Sequence, residues 1–307
     1  MDERYAVERY EQAVSLLPLR WRKVALQIAD WKKALVEEIR LRTGQPMTVL
    51  LSEGEQFLQQ ETPRMVVEQN DLEQLCDIVT EYSRYAACDT ISAGYLSAKG
   101  GFRVGICGSA VMQDGRVSNL RDLSSAVIRI SRERVGVADE IMAQLMENGI
   151  FPNTLIYSAP GLGKTTLLRD MIRCLSDGSC GTASHRVAVA DERGEIAVMY
   201  QGKAQMAVGC HTDVLDGCPK ALAIPILLRA ANPQILAVDE ITQQEDLQEM
   251  VRAANCGVSL LATIHAGRRE ELLRKPLFSQ LLELGVFSYA VAIRMEEGKR
   301  LYEVQKL

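Results

Sequence analysis

The stretch Ser158-Ala159-Pro160-Gly161-Leu162-Gly163-Lys164-Thr165-Thr166 decides the fold of this 307-residue chain. It lies between a short apolar run, Thr154-Leu155-Ile156-Tyr157, and a segment in which Leu167, Leu168, Met171, Ile172 and Leu175 recur at helical spacing. A buried strand that feeds a glycine-rich turn and then an amphipathic helix is the setting of a phosphate-binding loop. Gly161 and Gly163 let successive backbone N–H groups converge on an anion, Lys164 supplies a charge for the β and γ oxygens, and the Thr165 hydroxyl can ligate Mg²⁺. The whole stretch, with Ala159, Pro160, Leu162 and Thr166 beside the cradle, is therefore assigned to a nucleoside triphosphate, with ATP and Mg²⁺ as the expected ligands. One position departs from the pattern G-x-x-x-x-G-K-[ST]: its first glycine is Ser158. A left-handed backbone at that position would cost serine about 1–2 kcal/mol.

Composition narrows the remaining choices. With 47% hydrophobic residues the chain can bury two medium cores, and its net charge of −5 is dispersed. No basic stripe marks a nucleic-acid surface, so nucleic acid is not expected as a partner; Arg20-Trp21-Arg22-Lys23 and Arg268-Arg269 read as solvated faces. Eight cysteines without a C-x-x-C pair and three histidines without H-x-x-x-H spacing read as free thiols in a reducing compartment, not as zinc ligands or disulfides. The charged first residues do not resemble a signal peptide, and no run approaches 18 apolar residues. The expected location is cytoplasmic, peripheral to a membrane only through a partner.

Two textures divide the chain. Residues 1–136 read as an α+β domain: a helical stretch through Leu35, a strand at Met47 to Leu51, and a helix from about Asp71 to Ala86 with Asn70 and Glu73 as a capping box. Turn signals at Lys99-Gly100-Gly101 and Gln113-Asp114-Gly115-Arg116 bound the runs Phe102 to Gly108 and Ser109 to Met112, before a strand at Ala126 to Ile130. Residues 137–307 begin with a helix at Ala138 to Glu147. Apolar strands at Thr154 to Tyr157, Val187 to Ala190, Ile235 to Val238 and Leu260 to Ile264 then alternate with helical segments, and a hairpin closes the chain at Ala290 to Val304. That alternation predicts a mostly parallel sheet with helices on both faces, and so an α/β fold with a smaller N-terminal α+β domain.

In such sheets ligands bind beyond the carboxyl ends of the strands, and each of the four strands ends in a polar cluster. Ile235 to Val238 runs into Asp239 and Glu240; Asp239 is suited to hold Mg²⁺ through water, and Glu240 to orient or deprotonate an attacking water. The second strand ends in Asp191-Glu192-Arg193-Gly194-Glu195 and the fourth in Thr263-Ile264-His265-Ala266. An acidic turn or a single histidine carries little weight alone; their coincidence at the ends of strands in one sheet gives them their weight.

These four boxes in order resemble the ring-forming ATPases of type II and type IV secretion and of type IV pili, P-loop NTPases of the RecA/AAA+ type. EIRLRTGQP (Glu38 to Pro46), GGFRVGICG (Gly100 to Gly108), NLRDLSSAVIRI (Asn119 to Ile130), VADERGEIA (Val189 to Ala197) and LLATIHAG (Leu260 to Gly267) are similar to the stage III sporulation branch of endospore-forming bacteria. The resemblance implies a cradle at Gly161, Gly163, Lys164 and Thr165, with Thr166 beside it. It makes Asp239 and Glu240 the Mg²⁺ and water-activating pair, Asp191, Glu192 and Glu195 an acidic box near the γ-phosphate, and His265 the histidine box. Two positions depart from the wider family. The acidic box there runs Glu-Asp-x-x-Glu, and the strand-end pair usually begins with glycine. A homo-hexamer is also implied, with arginines reaching a neighbouring nucleotide; Arg121, Arg129, Arg132 and Arg229 are the candidates. The implied function is an ATPase that powers a membrane-embedded, secretion-like channel during sporulation. Two other readings share the loop, a slow nucleotide-dependent docking factor and a DNA-translocating motor.

Overall fold

The computed structural model describes residues 3–59, 64–81, 91, 94–146, 149–181, 183–274 and 276–307. They divide into two compact units, residues 1–132 with 200–205, and residues 133–199 with 206–307. Sequence texture places the boundary at residue 136, and the grouping of 200–205 with the first unit has no counterpart in that reading.

In the first unit the N-terminal helical stretch is three helices, α1 (Glu3–Val14), α2 (Leu19–Leu26) and α3 (Asp30–Leu35). Strands β1 (Glu38–Arg42), β2 (Thr48–Leu51) and β3 (Gly54–Phe57) follow, then helix α4 (Gln69–Val79) and strands β4 (Tyr95–Ala98), β5 (Phe102–Gln113) and β6 (Arg116–Arg129). The six strands form one antiparallel sheet in the order β3-β2-β1-β6-β5-β4. Its core buries Tyr10 of α1, Leu17 of the following turn and Trp21 of α2 against Ile39, Leu41, Phe102, Val104 and Ile128, with Leu72 and Leu75 of α4.

Two local expectations change here. The runs before and after Gly108 are a single strand, β5, which bulges where its register with β6 shifts between Cys107 and Ser109. A Cβ at Gly108 would lie 2.6 Å from the Arg121 carbonyl oxygen, so glycine marks a close backbone approach and not a strand end. The capping box of α4 is formed by Glu68 and Asp71, not by Asn70 and Glu73. The Glu68 side chain accepts the Asp71 N–H, the Asp71 carboxylate accepts the Glu68 N–H at 2.7 Å, and Asn70 already lies inside the helix. The expected end of this helix, like Cys88 and the end of the helix expected to reach Glu147, lies outside the described residues.

The second unit is a three-layer α/β structure. It contains α5 (Asp139–Leu145), β7 (Thr154–Ser158), α6 (Lys164–Asp177) and β8 (Val187–Asp191); the chain then forms a two-stranded ribbon, β9 (Met199–Tyr200) and β10 (Lys203–Ala204), all of which but Met199 belongs to the first unit, and continues in the second with β11 (Thr212–Asp216) and α7 (Lys220–Ala230). There follow β12 (Ile235–Val238), α8 (Gln244–Asn255), β13 (Ser259–His265), α9 (Arg269–Arg274), α10 (Pro276–Glu283), β14 (Tyr289–Glu296) and β15 (Lys299–Lys306). The main sheet has the order β11-β8-β12-β13-β7-β14-β15; all neighbours are parallel except the last pair. Successive residues of each central strand enter opposite cores, as the two-residue period requires. Leu155 and Tyr157 pack with α7, α8, α9 and α10, whereas Ile156 packs with α5 and α6. The edge strand β11 is half-exposed and carries polar Thr212, Asp213 and Asp216, which is why hydropathy alone does not reveal it. The seven described cysteines are free thiols.

Asp71 joins two elements of the first unit. It is buried, and it takes a two-pronged ion pair from Arg20 of α2, Nε to Oδ1 at 2.6 Å and Nη2 to Oδ2, besides capping α4. Burial pushes its carboxyl up, but the Arg20 and Glu68 N–H hydrogen bonds pull harder, and the net shift is downward from 3.8. A depressed native pKa contributes stability above the unfolded value that is lost as pH falls through the native one. Asp71→Asn is expected to destabilise the first unit by about 1–2 kcal/mol at neutral pH, since a buried carboxylate that pairs with half-exposed Arg20 and caps α4 loses its charge. Urea titrations should show this difference shrinking as the pH is lowered below 3.8.

Candidate functional site

Parallel register brings the strand ends together. His265 pairs with Ser158 across β13 and β7, and Val238 pairs with Ala262 across β12 and β13, so Asp239 and Glu240 emerge beside Thr263. The loop after β7 turns at Gly161 (φ 78°) and Gly163 (φ 98°), and Gly163 caps α6 in the left-handed region. Ser158 is the buried last residue of β7 and has no positive φ. The glycine missing from the first motif position is therefore not needed for backbone conformation, and the serine carries no left-handed strain.

A cleft of about 330 Å³ opens over this loop. It is lined by Gly161, Gly163, Lys164, Thr165 and Thr166, by Arg193 and Glu195 from the turn after β8, and by Asp239, Glu240 and His265. Among the remaining loop residues, Ala159 accepts the Ser158 hydroxyl at its carbonyl (2.8 Å), Pro160 is exposed, and Leu162 packs against the core beneath α6.

Two polar chains cross the cleft. In the first, Lys164 Nζ donates to the Ser158 carbonyl at 3.3 Å and to His265 Nδ1 at 2.6 Å, while His265 Nε2 meets Glu240 Oε1 at 2.9 Å. Because Lys164 can only donate, Nδ1 is the acceptor and the proton sits on Nε2, facing the carboxylate. The other Glu240 oxygen takes Arg193 Nη1 at 2.9 Å. In the second chain Thr165 Oγ1 donates to Asp239 Oδ2 at 2.8 Å, Thr263 Oγ1 to Asp239 Oδ1 at 2.5 Å, and Thr263 Oγ1 accepts the Glu240 N–H at 2.8 Å. Thr165 hydroxyl and Asp239 carboxylate at one point make an all-oxygen donor set, the chemistry that suits Mg²⁺. Glu240 is held at φ 50°, a left-handed conformation that costs a residue with a Cβ about 1–2 kcal/mol.

The acidic turn is more rigid than its sequence suggests, and its three carboxylates have different uses. Asp191 is buried and accepts the backbone N–H groups of Glu195, Ile196 and Ala197 at 2.9–3.2 Å. Arg169 of α6 grips the same turn by donating to the carbonyls of Glu195 and Ile196, both at 2.6 Å. Glu192 turns away to an ion pair with buried Lys220 of α7, which also lies 3.9 Å from Asp246. Of the acidic box only Glu195 lines this cleft. Asp191 and Glu192 shape the turn that presents it.

The four arginine candidates lie elsewhere. Arg121 and Arg129 are exposed on β6, near Asp122 (3.7 Å) and Glu38 (3.4 Å). Arg132 donates to the carbonyls of Val36 (2.6 Å) and Lys33 (3.4 Å), and desolvation lowers its pKa, so it ties the first unit together. Arg229 is exposed in the last turn of α7, where a cation complements the helix dipole. Sequence reading passed over Arg169, Arg193, Lys220 and Thr263; the last lies inside the T-x-H-A box and Arg193 inside the acidic turn, so both were within motifs already marked.

Fold and cleft together define a P-loop NTPase-type α/β protein. The solved structures similar to it include the ATPase DotB of Legionella pneumophila, with a TM-score of 0.57 at 14% identity over 89% of this chain and 76% of that one. They also include the pilus retraction motor PilT with bound ADP, with a TM-score of 0.59 at 18% identity over 88% and 79%. The family model for sporulation stage III, protein AA, matches residues 7–304, and the chain belongs to that family. Stage III sporulation protein AA of Bacillus subtilis (strain 168) is 30% identical over 287 residues, which cover 94% of this chain and 92% of the relative. Among the described residues no helix is long and apolar enough to cross a membrane.

Asp216, at the end of β11, gives the acidic turn a pH signature. The residue is exposed as a whole, but its Oδ1 lies 3.1 Å from where a Cβ on Gly194 would sit. Partial desolvation there, and then the charge of Asp191, raise its carboxyl to about 6. For an acid with a raised native pKa the folded state binds the extra proton, so stability is lost as pH rises from the ordinary value toward 6. Asp216→Asn should melt at a higher temperature than wild type at pH 8, and calorimetry at pH 4 should show that advantage gone.

Proposed function

We propose that this protein is a Mg²⁺-dependent ATPase whose second unit binds and hydrolyses ATP. The observation that carries the reading is the joining of Thr165 to Asp239 and of Lys164, through His265, to Glu240 within one cleft over the phosphate loop. Backbone N–H groups around Gly161 and Gly163 and the N-terminal end of α6 favour a polyphosphate. Lys164 supplies the charge for its β and γ oxygens, and Thr165, with Asp239 through water, would hold the metal, which would neutralise phosphate charge.

Glu240 is the base. It orients a water for in-line attack on the γ-phosphorus and takes one proton as the new P–O bond forms and the bond to the bridging oxygen breaks. Its left-handed backbone and its contacts with His265 and Arg193 fix the direction of the carboxylate in advance. Glu195 borders the cleft as a second polar group, and His265 links the loop lysine to the base.

Likeness of fold to the ATPase DotB and the pilus retraction motor PilT, with the order of the four sequence boxes, supports an extension of this reading. In this reading six copies form a ring, which works from the cytoplasmic side on a membrane-embedded, secretion-like channel during sporulation. The first unit then supplies cations to a neighbour's nucleotide, from exposed Arg121 and Arg129, since Arg132 is already committed to backbone carbonyls. Dispersed negative net charge argues against DNA as the substrate of the motor.

Phosphate release by the purified chain should require Mg²⁺. Lys164→Ala should lose both ATP affinity and turnover. Glu240→Gln should keep affinity and lose about 10²–10⁴-fold in turnover, the usual contribution of a positioned base. A Glu240→Gln protein that hydrolyses at the wild-type rate would remove Glu240 from the base role. With a nonhydrolysable analogue, light scattering should find six copies per particle, and a strict monomer would count against the ring.

A further inference from the structure

The hairpin of β14 and β15 places one cation where the dipole rule disfavours it. β14 pairs in parallel with β7 as far as Ala292 opposite Tyr157, one residue before β7 ends at Ser158, so Arg294 to Glu296 run on past the strand end, toward the phosphate loop. At about 3.4 Å per residue that overhang reaches roughly 10 Å. Arg300 stands opposite Met295 on the returning strand. Its guanidinium lies against Gly163: a Cβ built on that glycine would meet Cζ at 3.5 Å, and Nε and Nη1 at 3.7 Å.

Among the described residues no carboxylate forms an ion pair with this guanidinium. Arg300 Nε is buried without a hydrogen-bond partner among the described residues. The neighbouring arginine of the hairpin, Arg294, has its carboxylate, Glu303, at 3.3 Å. Gly163 caps the N-terminus of α6, so Arg300 adds a cation to the positive end of a 14-residue helix that already begins with Lys164. A half-buried guanidinium whose Nε is buried without a partner, beside a helix N-terminus and a lysine, is unfavourable unless an anion joins them. The side without a Cβ on Gly163 is what allows the approach.

We infer that Arg300 is a phosphate-binding residue of the same subunit, which contacts the polyphosphate of the nucleotide from the outer side of the loop and ties the β14–β15 hairpin to nucleotide occupancy. This rests on the nucleotide reading of the cleft and adds to it a residue that the loop motif does not contain. Guanidinium suits the role because it offers a planar fork of donors to phosphate oxygens.

The test is binding by the full chain with Mg²⁺. A fluorescent ATP analogue reports affinity, and inorganic tripolyphosphate, which has no base, competes it off. Arg300→Ala is expected to weaken both ligands in parallel by about tenfold to a hundredfold, as expected for a charged hydrogen bond, with Arg300→Lys in between. Without ligand, Arg300→Gln should melt no lower than wild type, because the cation it removes is unbalanced there. If Arg300→Ala itself folds poorly, the Gln and Lys variants carry the comparison. Unchanged affinities in these variants beside a wild type that binds would overturn the inference, and so would a loss confined to ATP with tripolyphosphate unaffected, which would assign the guanidinium to the base. A wild type that binds neither ligand would instead bring down the nucleotide reading on which the inference stands.

Discussion

The parallel register of β12, β13 and β7 is the constraint on which the site depends. Because His265 lies opposite Ser158 and Ala262 opposite Val238, one strand end supplies the loop, the next a histidine and a threonine, and the third an acidic pair, all at one level of the sheet. A slip of one residue along β13 would turn Thr263 and His265 to the other face and separate Asp239 from its hydroxyl partner. The register is itself fixed by burial. The central strands are buried on both faces, their residues alternating between the core under α5 and α6 and the core under the later helices, so a slipped strand would be mispacked on both sides.

Upon that frame the polar groups organise by satisfying one another. Asp239 is held by two threonines, Glu240 by a histidine and an arginine, and the acidic turn by Asp191 from below and Arg169 from the side. The cost is visible in the backbone at Glu240, whose positive φ is retained because the Thr263 hydroxyl and carbonyl bind the Glu240 and Ile241 N–H groups. Strain kept at such a place is characteristic of groups whose direction matters more than their stability. Lys164 has the opposite character. It rests on a carbonyl and an imidazole, both neutral acceptors that a phosphate would outbid.

The parts legible in the sequence were those whose chemistry is local. The loop is a run of consecutive residues with its strand and helix attached, and the four buried strands declare themselves by unbroken apolar composition. What could not be read depends on partners distant in the chain. Glu192 looks like Glu195 in a sequence, yet one meets Lys220 and the other faces the cleft. Asp191 ends its strand as Asp239 nearly does, but its carboxylate is used up by three backbone N–H groups that exist only because the turn doubles back. The capping box of α4 was misplaced by two residues because glutamate is an uncommon cap, stabilised here by Asp71 and its pairing with Arg20. Ser158, a departure from the motif, lies in ordinary strand backbone, so the conformational concern it raised disappears.

The central claim is that four strand ends form one nucleotide site in the second unit. Hydrogen exchange of the whole protein, measured with and without ATP and Mg²⁺, tests it most directly. The account predicts slower exchange on nucleotide addition in residues 159–166, 192–197, 239–241 and 263–266 together, at a common ligand concentration. Protection confined to the phosphate loop, or no protection in any of these segments, would contradict it.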